Sequence, residues 1–393
     1  MNLIFRKHSL IVCHTLVPKN IFLLLILFIS TGFTLLYSQT NKYYKSVDKI
    51  IKECPLDSTN NIHNLADFIN DHFTEADQKI RAVYVWVAQN ITYDVENIFE
   101  EKPRNPILET RKGTCQDFSN LFKNIANAVG LETYTVQGYT KQNNVIVWQP
   151  HAWVVSKLNG EWYFFDPTWA AGFVEKGRFY RKFDDSYFKV TPQEFIKSHF
   201  PYDPLWQILI DPISPAEFDE NIFTGKKIIN HNFTNELYEL NSLDEIEQLK
   251  QEVKRIENIK ISNFLLYFVL REKKAYAKAK EHQLYLDKYN QAEYHYEEGV
   301  FLLNEFIIYR NKFFEPYESD LNLKKRIGGI IDHLETAQEL LEKVDNYPEG
   351  LDHVVLNLSR ALELAFVHVN EHKDFVKLYT ETPEDKRLSL FYD

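Results

Sequence analysis

Cysteine is scarce in this chain. Among 393 residues only Cys13, Cys54 and Cys115 carry a thiol, and removal of residues 1–38 would leave two of them. Two cysteines are too few for a fold that depends on a disulfide framework. We therefore expect the fold to rest on a hydrophobic core, which the hydrophobic content of 45% allows.

Motifs that bind metal ions and nucleotides are missing as well. The sequence has no glycine-rich phosphate loop, no His-Glu-x-x-His zinc motif and no acidic segment with the ligand spacing of a calcium loop. Its 13 histidines are scattered along the chain. We therefore predict that the protein binds no metal ion and needs no cofactor.

Basic residues are fewer than acidic ones. Lys and Arg number 45 against 56 Asp and Glu, which gives a formal net charge of −11. Residues 1–38 contain three basic residues and no acidic one, so the remainder has 42 basic and 56 acidic residues and a net charge of −14. Because proteins that bind nucleic acids carry basic surface patches, we expect no nucleic-acid partner.

The N-terminal segment has the pattern of an export signal. A basic stretch precedes an apolar run from Ile21 to Leu36, and the small residue Ser38 follows. The run has 16 residues, whereas a membrane-spanning helix needs about 20. We predict a signal peptide over residues 1–38 and a secreted or periplasmic protein. The unusual length of the basic stretch leaves an uncleaved membrane anchor open as the alternative.

Residues 39–215 have the pattern of a domain with both helices and strands. Apolar residues share one face of a predicted helix over 77–90, and a second helix begins near Thr114 and ends at Gly130. Three strand-like segments follow, at Thr133–Tyr139, His151–Ser156 and Glu161–Phe165. The last two flank Asn159-Gly160, which is typical of a two-residue hairpin turn.

Residues 243–393 form a second, all-helical domain in this interpretation, after a linker at 216–242. Pro and Gly are sparse there, and a stripe of apolar residues alternates steps of three and four: Ile327, Ile330, Leu334, Ala337, Leu341 and Val344. We predict antiparallel helices near 244–258, 265–281, 286–313, 321–345 and 350–371. No fixed repeat period is present, so a bundle is favoured over a solenoid. Its Tyr-rich and Phe-rich stretches suggest a protein partner.

Cys115 lies at the predicted start of a helix. Thr114 is a good N-cap, and Asp117 three residues later approximates a capping box. At that position the helix dipole and the free backbone N–H groups favour the thiolate, which is the nucleophilic form. The same N–H groups could hold the oxyanion of a tetrahedral intermediate. A purely structural cysteine is the alternative that this spacing leaves open.

The predicted hairpin places a histidine and an aspartate together. With a two-residue turn at Asn159-Gly160, facing positions sum to 319, so Trp153 faces Asp166 and His151 faces Thr168. His151 and Asp166 then point to the same side of the sheet as diagonal neighbours, about 7–8 Å apart at the backbone. Asp166 could orient the His151 ring and stabilise its charged form.

These residues resemble the transglutaminase-like superfamily, in the branch of kyphoscoliosis-type peptidases and cytokinesis-associated proteins. The likeness covers about 75–210 and does not extend into the helical half. The motifs that carry it are Gly113–Gln116, His151–Trp153, Gly160–Tyr163 and Asp166–Trp169, with flanking support from Arg81–Val87, Asn90–Asp94 and the segments Tyr187-Phe188, Phe195-Ile196, His199–Pro201 and Trp206-Gln207.

The resemblance implies a papain-like α+β fold, in which the cysteine helix packs on an antiparallel sheet. It implies a catalytic triad of Cys115, His151 and Asp166. The cysteine would attack a carboxamide or peptide carbonyl, and the histidine would move the proton to the leaving amine. Water or another amine would then resolve the thioester.

The resemblance also suggests residues around the cleft. Trp86 corresponds to an aromatic residue that supports the oxyanion in some transglutaminases, although its helical spacing suits the core equally well. Gln116 would supply a backbone N–H beside the nucleophile. Trp148 and Trp169 would line an acyl cleft or pack the sheet, and packing is the favoured role for Trp153.

Three functions follow from this interpretation. The first is an exported cysteine peptidase or amidase that acts on a protein or peptide substrate. The second is a catalytically weak or inactive protein-interaction module whose helical half binds a partner. The third is a protein cross-linking enzyme, which shares the first half-reaction. The sequence does not distinguish water from a lysine amine as the group that resolves the thioester.

Overall fold

A computed structural model describes residues 44–55, 59–96, 106–210, 212–223, 233–344 and 352–392. These residues form two compact units. The first unit consists of the chain up to Glu236 together with Arg255–Leu266. The second consists of Leu237–Lys254 together with the chain from Tyr267 onward. The predicted signal segment over 1–38 lies outside the described residues. No described helix combines the length and the apolar character that crossing a membrane requires.

The first unit is α+β, as predicted, and its helices come first. Residues 44–52 are helical, and they are followed by α1 (Ile62–His72), α2 (Ala76–Asn90) and α3 (Cys115–Ala128). Between α2 and α3 lie a helical turn at Ile107–Thr110 and a short parallel pairing of Thr92–Tyr93 with Lys112–Gly113. This pairing fixes the chain just before α3 begins.

The sheet of the first unit has four antiparallel strands. In chain order they are β1 (Thr133–Gln142), β2 (Val145–Leu158), β3 (Glu161–Phe165) and, after a smaller hairpin, β6 (His199–Pro201). Their order across the sheet is β3-β2-β1-β6. Helix α3 packs against β1 and β2. A helix on an antiparallel sheet is the arrangement that the sequence predicted.

The hairpin register agrees with the prediction. Leu158 faces Glu161, and the pairing continues to Val154 and Phe165, so facing positions sum to 319. Asn159 and Gly160 have φ angles of 52° and 89°, as a two-residue turn with two left-handed residues requires.

The pairing stops three residues earlier than we expected, so the predicted facing pair of His151 with Thr168 is not formed. Strand β3 ends at Phe165, and Asp166 is the N-cap of a short helix, α4 (Pro167–Ala171). The predicted facing pair of Trp153 with Asp166 is therefore not formed. Pro167 explains the change, since proline has no N–H for a strand ladder but fits the first turn of a helix.

Smaller elements complete the first unit. Strands β4 (Gly172–Glu175) and β5 (Arg178–Arg181) form a separate hairpin. Short helical turns lie at Asp185–Tyr187, Pro192–Phe195 and Pro204–Gln207. Helix α5 (Pro215–Asp219), which begins at a capping box of Ser214 and Glu217, falls inside the segment predicted as a linker.

The core of the first unit lies between its helices and the sheet. Side chains from α1, α2, α3, β2 and α4 form one buried cluster, which includes Ile69, Val83, Phe122 and Val154, each 0% exposed. Burial of a side chain of this size stabilises the fold by roughly 1.5–3 kcal/mol. The core therefore fixes α3 and the hairpin relative to each other.

The remaining helices are α6 (Phe233–Asn241), α7 (Glu245–Asn258), α8 (Phe264–Asn311), α9 (Asp320–Glu342) and α10 (Asp352–Glu381), followed by a 3-10 helix at Glu384–Phe391. In the second unit α9 packs against α10. The predicted apolar stripe is confirmed: Ile327, Ile330, Leu334, Ala337, Leu341 and Val344 are all buried. The second unit is therefore an all-helical structure.

One helix prediction is wrong. We expected two helices over 265–281 and 286–313, but α8 is continuous over 48 residues. The intervening residues 282–285 contain neither Gly nor Pro. Nothing there favours a helix end, so the helix continues.

Candidate active site

Cys115 is the first residue of α3, as predicted, and its thiol is free. The backbone N–H and the hydroxyl of Thr114 both donate to Oδ2 of Asp117, at 2.7 and 2.9 Å. These bonds hold the residue before the cysteine in place. The backbone N–H of Asp117 donates to the Thr114 side chain in a capping box, but those of Cys115 and Gln116 have no acceptor within the helix. They are available for an anion at this helix end.

His151 extends from β2 towards Asp166. Its side chain is 9% exposed, and that of Asp166 is 0% exposed. Nε2 of the ring lies 2.7 Å from Oδ2 of Asp166. The Cys115 side chain lies close enough to the same ring to raise the pKa of the imidazole. The structure thus brings together the three residues that the sequence singled out, although Asp166 lies beyond the end of the strand.

The Asp166 carboxylate accepts four hydrogen bonds. Oδ1 accepts the backbone N–H groups of Thr168 and Trp169, at 2.9 and 3.0 Å, and so caps α4. Oδ2 accepts from His151 at 2.7 Å and from His199 at 3.2 Å. A buried carboxylate with this many donors is held both in position and in its ionised form.

The charges of the pair stabilise each other. Burial disfavours the charged form of His151, but the negative charge of Asp166 and hydrogen bonds to Asp166 and Cys115 raise the pKa of the imidazole to about 10. Burial likewise opposes ionisation of Asp166, but His151 and His199 lower the pKa of this carboxyl well below its usual range. At neutral pH the pair is therefore an imidazolium and a carboxylate.

Sequence reasoning gave His199 no role. It belongs to the motif His199–Pro201, which we quoted only as part of the resemblance, and it lies 33 residues after Asp166. The antiparallel pairing of β6 with β1 brings it next to the site. Only the pairing of β6 with β1 reveals this contact, because no local sequence pattern links His199 and Asp166.

The predicted cleft residues have different positions. Trp169 stacks on the His151 ring, with centroids 5.3 Å apart and planes at 29°. Trp148 is 62% exposed, and Trp86 is 2% exposed within the core, with the Arg111 guanidinium 4.9 Å above its ring. The Gln116 side chain hydrogen-bonds to its neighbours Asn120 and Gln137. Trp86 is therefore a packing residue of the core, and Trp148 lies on the exposed surface.

A cavity of about 440 Å³ opens beside His151. Its walls include Trp169, Tyr93, and further aromatic and charged side chains: Phe173, Phe179, Lys182, Asp184 and Tyr187. Trp153 does not belong to these walls: its side chain is 0% exposed and is buried against the sheet. The cavity is large enough for one or two amino-acid side chains, so it is a candidate site for part of a substrate.

His151, Asp166 and His199 could in principle bind a metal ion. One ligand atom from each lies within 4.8 Å of the others. However, both ring nitrogens point to the same carboxylate oxygen at hydrogen-bond distances of 2.7 and 3.2 Å. The arrangement is that of a proton-sharing network, in which each of these three atoms already has a hydrogen-bond partner.

Comparison with known proteins identifies a transglutaminase-like domain. A profile of the transglutaminase-like superfamily matches residues 64–167. Kyphoscoliosis peptidase of Mus musculus is 31% identical over 182 residues, which cover 42% of this chain and 27% of that protein. The Lim and transglutaminase domain protein ltd-1 of Caenorhabditis elegans is 24% identical, over 50% of this chain and 30% of that one.

A fungal protein is also similar to part of this chain. Cytokinesis protein 3 of Saccharomyces cerevisiae is 26% identical, over 45% of this chain and 20% of its own length. The chain thus spans less than a third of each of these relatives. The range 64–167 includes α3, the hairpin, Cys115, His151 and Asp166, whereas Trp169 and His199 lie beyond it. The chain carries a transglutaminase-like domain of the branch that includes kyphoscoliosis peptidase and cytokinesis protein 3.

Proposed function

We propose that the protein is a cysteine acyl-transfer enzyme that acts as a peptidase or amidase on a protein or peptide substrate. The observation that carries this proposal is the buried pair of His151 and Asp166. The pair lies against a cysteine at a helix start. A fixed imidazolium beside a thiol is the arrangement that activates a sulfur nucleophile.

The reaction follows from the positions of these groups. The Cys115 thiolate attacks the carbonyl carbon, and the first-turn N–H groups of α3 stabilise the oxyanion. The His151 imidazolium donates its proton to the leaving nitrogen, so the C–N bond breaks and a thioester forms. Water then adds to the thioester while His151 accepts its proton, and the carboxylic acid leaves. Asp166 stays ionised throughout and keeps the ring oriented.

Alkylation of the thiol tests the proposal without a known substrate. We expect iodoacetamide to label Cys115 rapidly at pH 6, and we expect His151→Gln to slow this labelling by at least about tenfold. Cys54, a half-buried free thiol whose pKa is raised by burial, serves as the internal control. Labelling of Cys115 no faster than that of Cys54, or equal labelling in His151→Gln, contradicts the proposal.

An interaction module is the second candidate. Its support is a set of exposed aromatic side chains on α8 in the second unit: Tyr267, Phe268, Tyr276, Tyr294 and Phe301. A module without catalysis needs no reactive thiol, so the same labelling experiment discriminates the two functions. Cross-linking is tested by offering a primary amine together with a peptide amide, since incorporation of the amine distinguishes it from hydrolysis.

We also propose that the protein is exported, to a secreted or periplasmic location. The support is the apolar run Ile21–Leu36 after a basic stretch. Export followed by cleavage predicts a mature N-terminus near Gln39, which N-terminal sequencing of the fractionated protein would detect. Recovery of the full-length chain in the membrane fraction would instead support the anchor, and recovery in the cytoplasm would contradict both.

A further inference from the structure

His199 is held rigidly beside the candidate site. It lies on β6, where it pairs with Thr140 of β1. Its ring stacks on Phe195, with centroids 3.9 Å apart and planes at 20°, and it meets the rings of Trp153 and Trp169 at 5.1 and 4.7 Å. With 1% of its surface exposed, the ring cannot turn without repacking these neighbours.

The hydrogen bonds of His199 define its protonation. Asp166 is ionised and can only accept, so Nε2 of His199 carries the proton in the 3.2 Å contact with Oδ2. Nδ1 lies 2.8 Å from the Ser198 hydroxyl, which can donate to it. Burial lowers the pKa of His199 to about 4, although Asp166 opposes this shift, and the charge of His151 lowers it further. His199 is therefore neutral at physiological pH.

A neutral donor suits this position for an electrostatic reason. The centroids of the His151 and His199 rings are 5.9 Å apart, and both rings contact Oδ2 of Asp166. A second permanent cation there would repel the His151 imidazolium. Among the described residues the Tyr187 phenol also lies near the His199 ring, at 6.2 Å between ring centroids, and burial and Asp166 raise its pKa to about 12. It too is neutral.

We propose that His199 is a positioning residue: as a fixed, neutral donor it holds the Asp166 carboxylate in the orientation that His151 needs and keeps the shared proton on His151. This inference rests on the proposed function. A carboxylate that loses one of four donors binds a proton more readily. Its partner imidazole is then both less well oriented and less firmly charged. His199 thus acts on the nucleophile only through Asp166.

Two substitutions at this position separate positioning from packing. His199→Phe keeps an aromatic ring against Phe195 but removes the donor, whereas His199→Gln places an amide N–H near the position of Nε2. The readout is the rate of Cys115 alkylation by iodoacetamide in the full chain between pH 4 and pH 9, with labelled peptides resolved by mass spectrometry. His63→Phe, on the exposed side of α1, is the matched control.

We expect His199→Phe to lower the alkylation rate at pH 6 about tenfold and to move the acid limb of the profile up by about one pH unit. His199→Gln should restore the rate to within about threefold of the wild type. If His199→Phe does not fold, His199→Met takes its place, since a flexible apolar side chain fills the same space.

Three outcomes would overturn the inference. A folded His199→Phe or His199→Met variant with the wild-type pH profile of alkylation would overturn it. So would a His199→Gln variant that is alkylated as slowly as His199→Phe. In both cases the His151 dependence of the wild type would leave the proposed function standing. Labelling of the wild type that does not depend on His151 would overturn the proposed function and the inference together.

Discussion

The substitution Asp166→Asn tests how the candidate site is charged. An asparagine can keep its oxygen at the Oδ1 position, where Asp166 accepts the two N–H groups that begin α4. Its NH₂ group then occupies the Oδ2 position, facing Nε2 of His151 at 2.7 Å and of His199 at 3.2 Å. Donors would meet donors, so His151 must accept at Nε2 and carry its proton at Nδ1.

The size of the effect on stability follows from the pKa shift of His151 in its ion pair with Asp166. The pKa of His151 is about 10, against 6.5 for an ordinary imidazole, and this difference corresponds to roughly 5 kcal/mol in favour of the charged ring. Without Asp166, burial favours the neutral ring against the remaining contribution of Cys115. Breaking one partner of a buried ion pair costs roughly 3–5 kcal/mol of stability. We expect the free energy of unfolding to fall by about that amount.

Reactivity of the thiol should fall as well. An ordinary thiol with a pKa near 8.5 is only about one part in 300 thiolate at pH 6. Loss of the imidazolium beside Cys115 should therefore slow alkylation at pH 6 on the order of 100-fold. The assay is iodoacetamide labelling with peptide-resolved mass spectrometry, beside a denaturant titration, with Asp67→Asn on the exposed side of α1 as control.

The reasoning would be refuted by a folded Asp166→Asn variant that labels at the wild-type rate at pH 6. Loss of stability without loss of labelling would show that the buried charge pair stabilises the fold but does not activate the thiol. A restored rate at high pH, where any thiol ionises, is expected and serves as an internal check that Cys115 is still accessible.

Further predictions concern pH and packing. The pKa of His151 is raised to about 10, so its stabilising contribution is complete below pH 6.5 and is lost as pH rises towards 10. The pKa of His199 is lowered to about 4, so stability is lost as pH falls from 6.5 towards 4. Denaturant titrations should therefore give the highest free energy of unfolding near pH 6.5, and His199→Phe should remove the loss on the acid side. Gly138→Ala should destabilise the first unit by about 3 kcal/mol or more in thermal unfolding, since its Cβ would lie 2.1 Å from a backbone oxygen of β6, and an unchanged midpoint would contradict the packing. Gly328→Ala, in open space within α9, should stabilise that helix by about 0.5–1 kcal/mol, measured in the same way.

The parts of the site that the sequence predicted are local ones. The capped helix start depends on Thr114, Cys115 and Asp117, which lie within four residues. The hairpin register depends on the turn at Asn159-Gly160, and a two-residue turn fixes the facing pairs on both sides. Such features are determined by neighbours along the chain, so a single sequence suffices to predict them.

The parts that the sequence missed depend on distant contacts. His199 reaches Asp166 only because β6 pairs with β1, and a strand of three residues has almost no pattern of its own. Trp148 and Trp169 have the same residue type, yet the first is exposed and the second stacks on His151. Their difference arises from the end of β3 at Phe165, which redirects the chain into α4.

The double use of the Asp166 carboxylate links the site to the movement of a short helix. Its Oδ1 atom holds the amide protons of Thr168 and Trp169, and Trp169 covers the ring of His151. Fraying of α4 therefore releases both amides and uncovers the imidazole in a single event. The hydrogen-exchange rates of these two amides report, in the resting protein and without any substrate, how often the site opens.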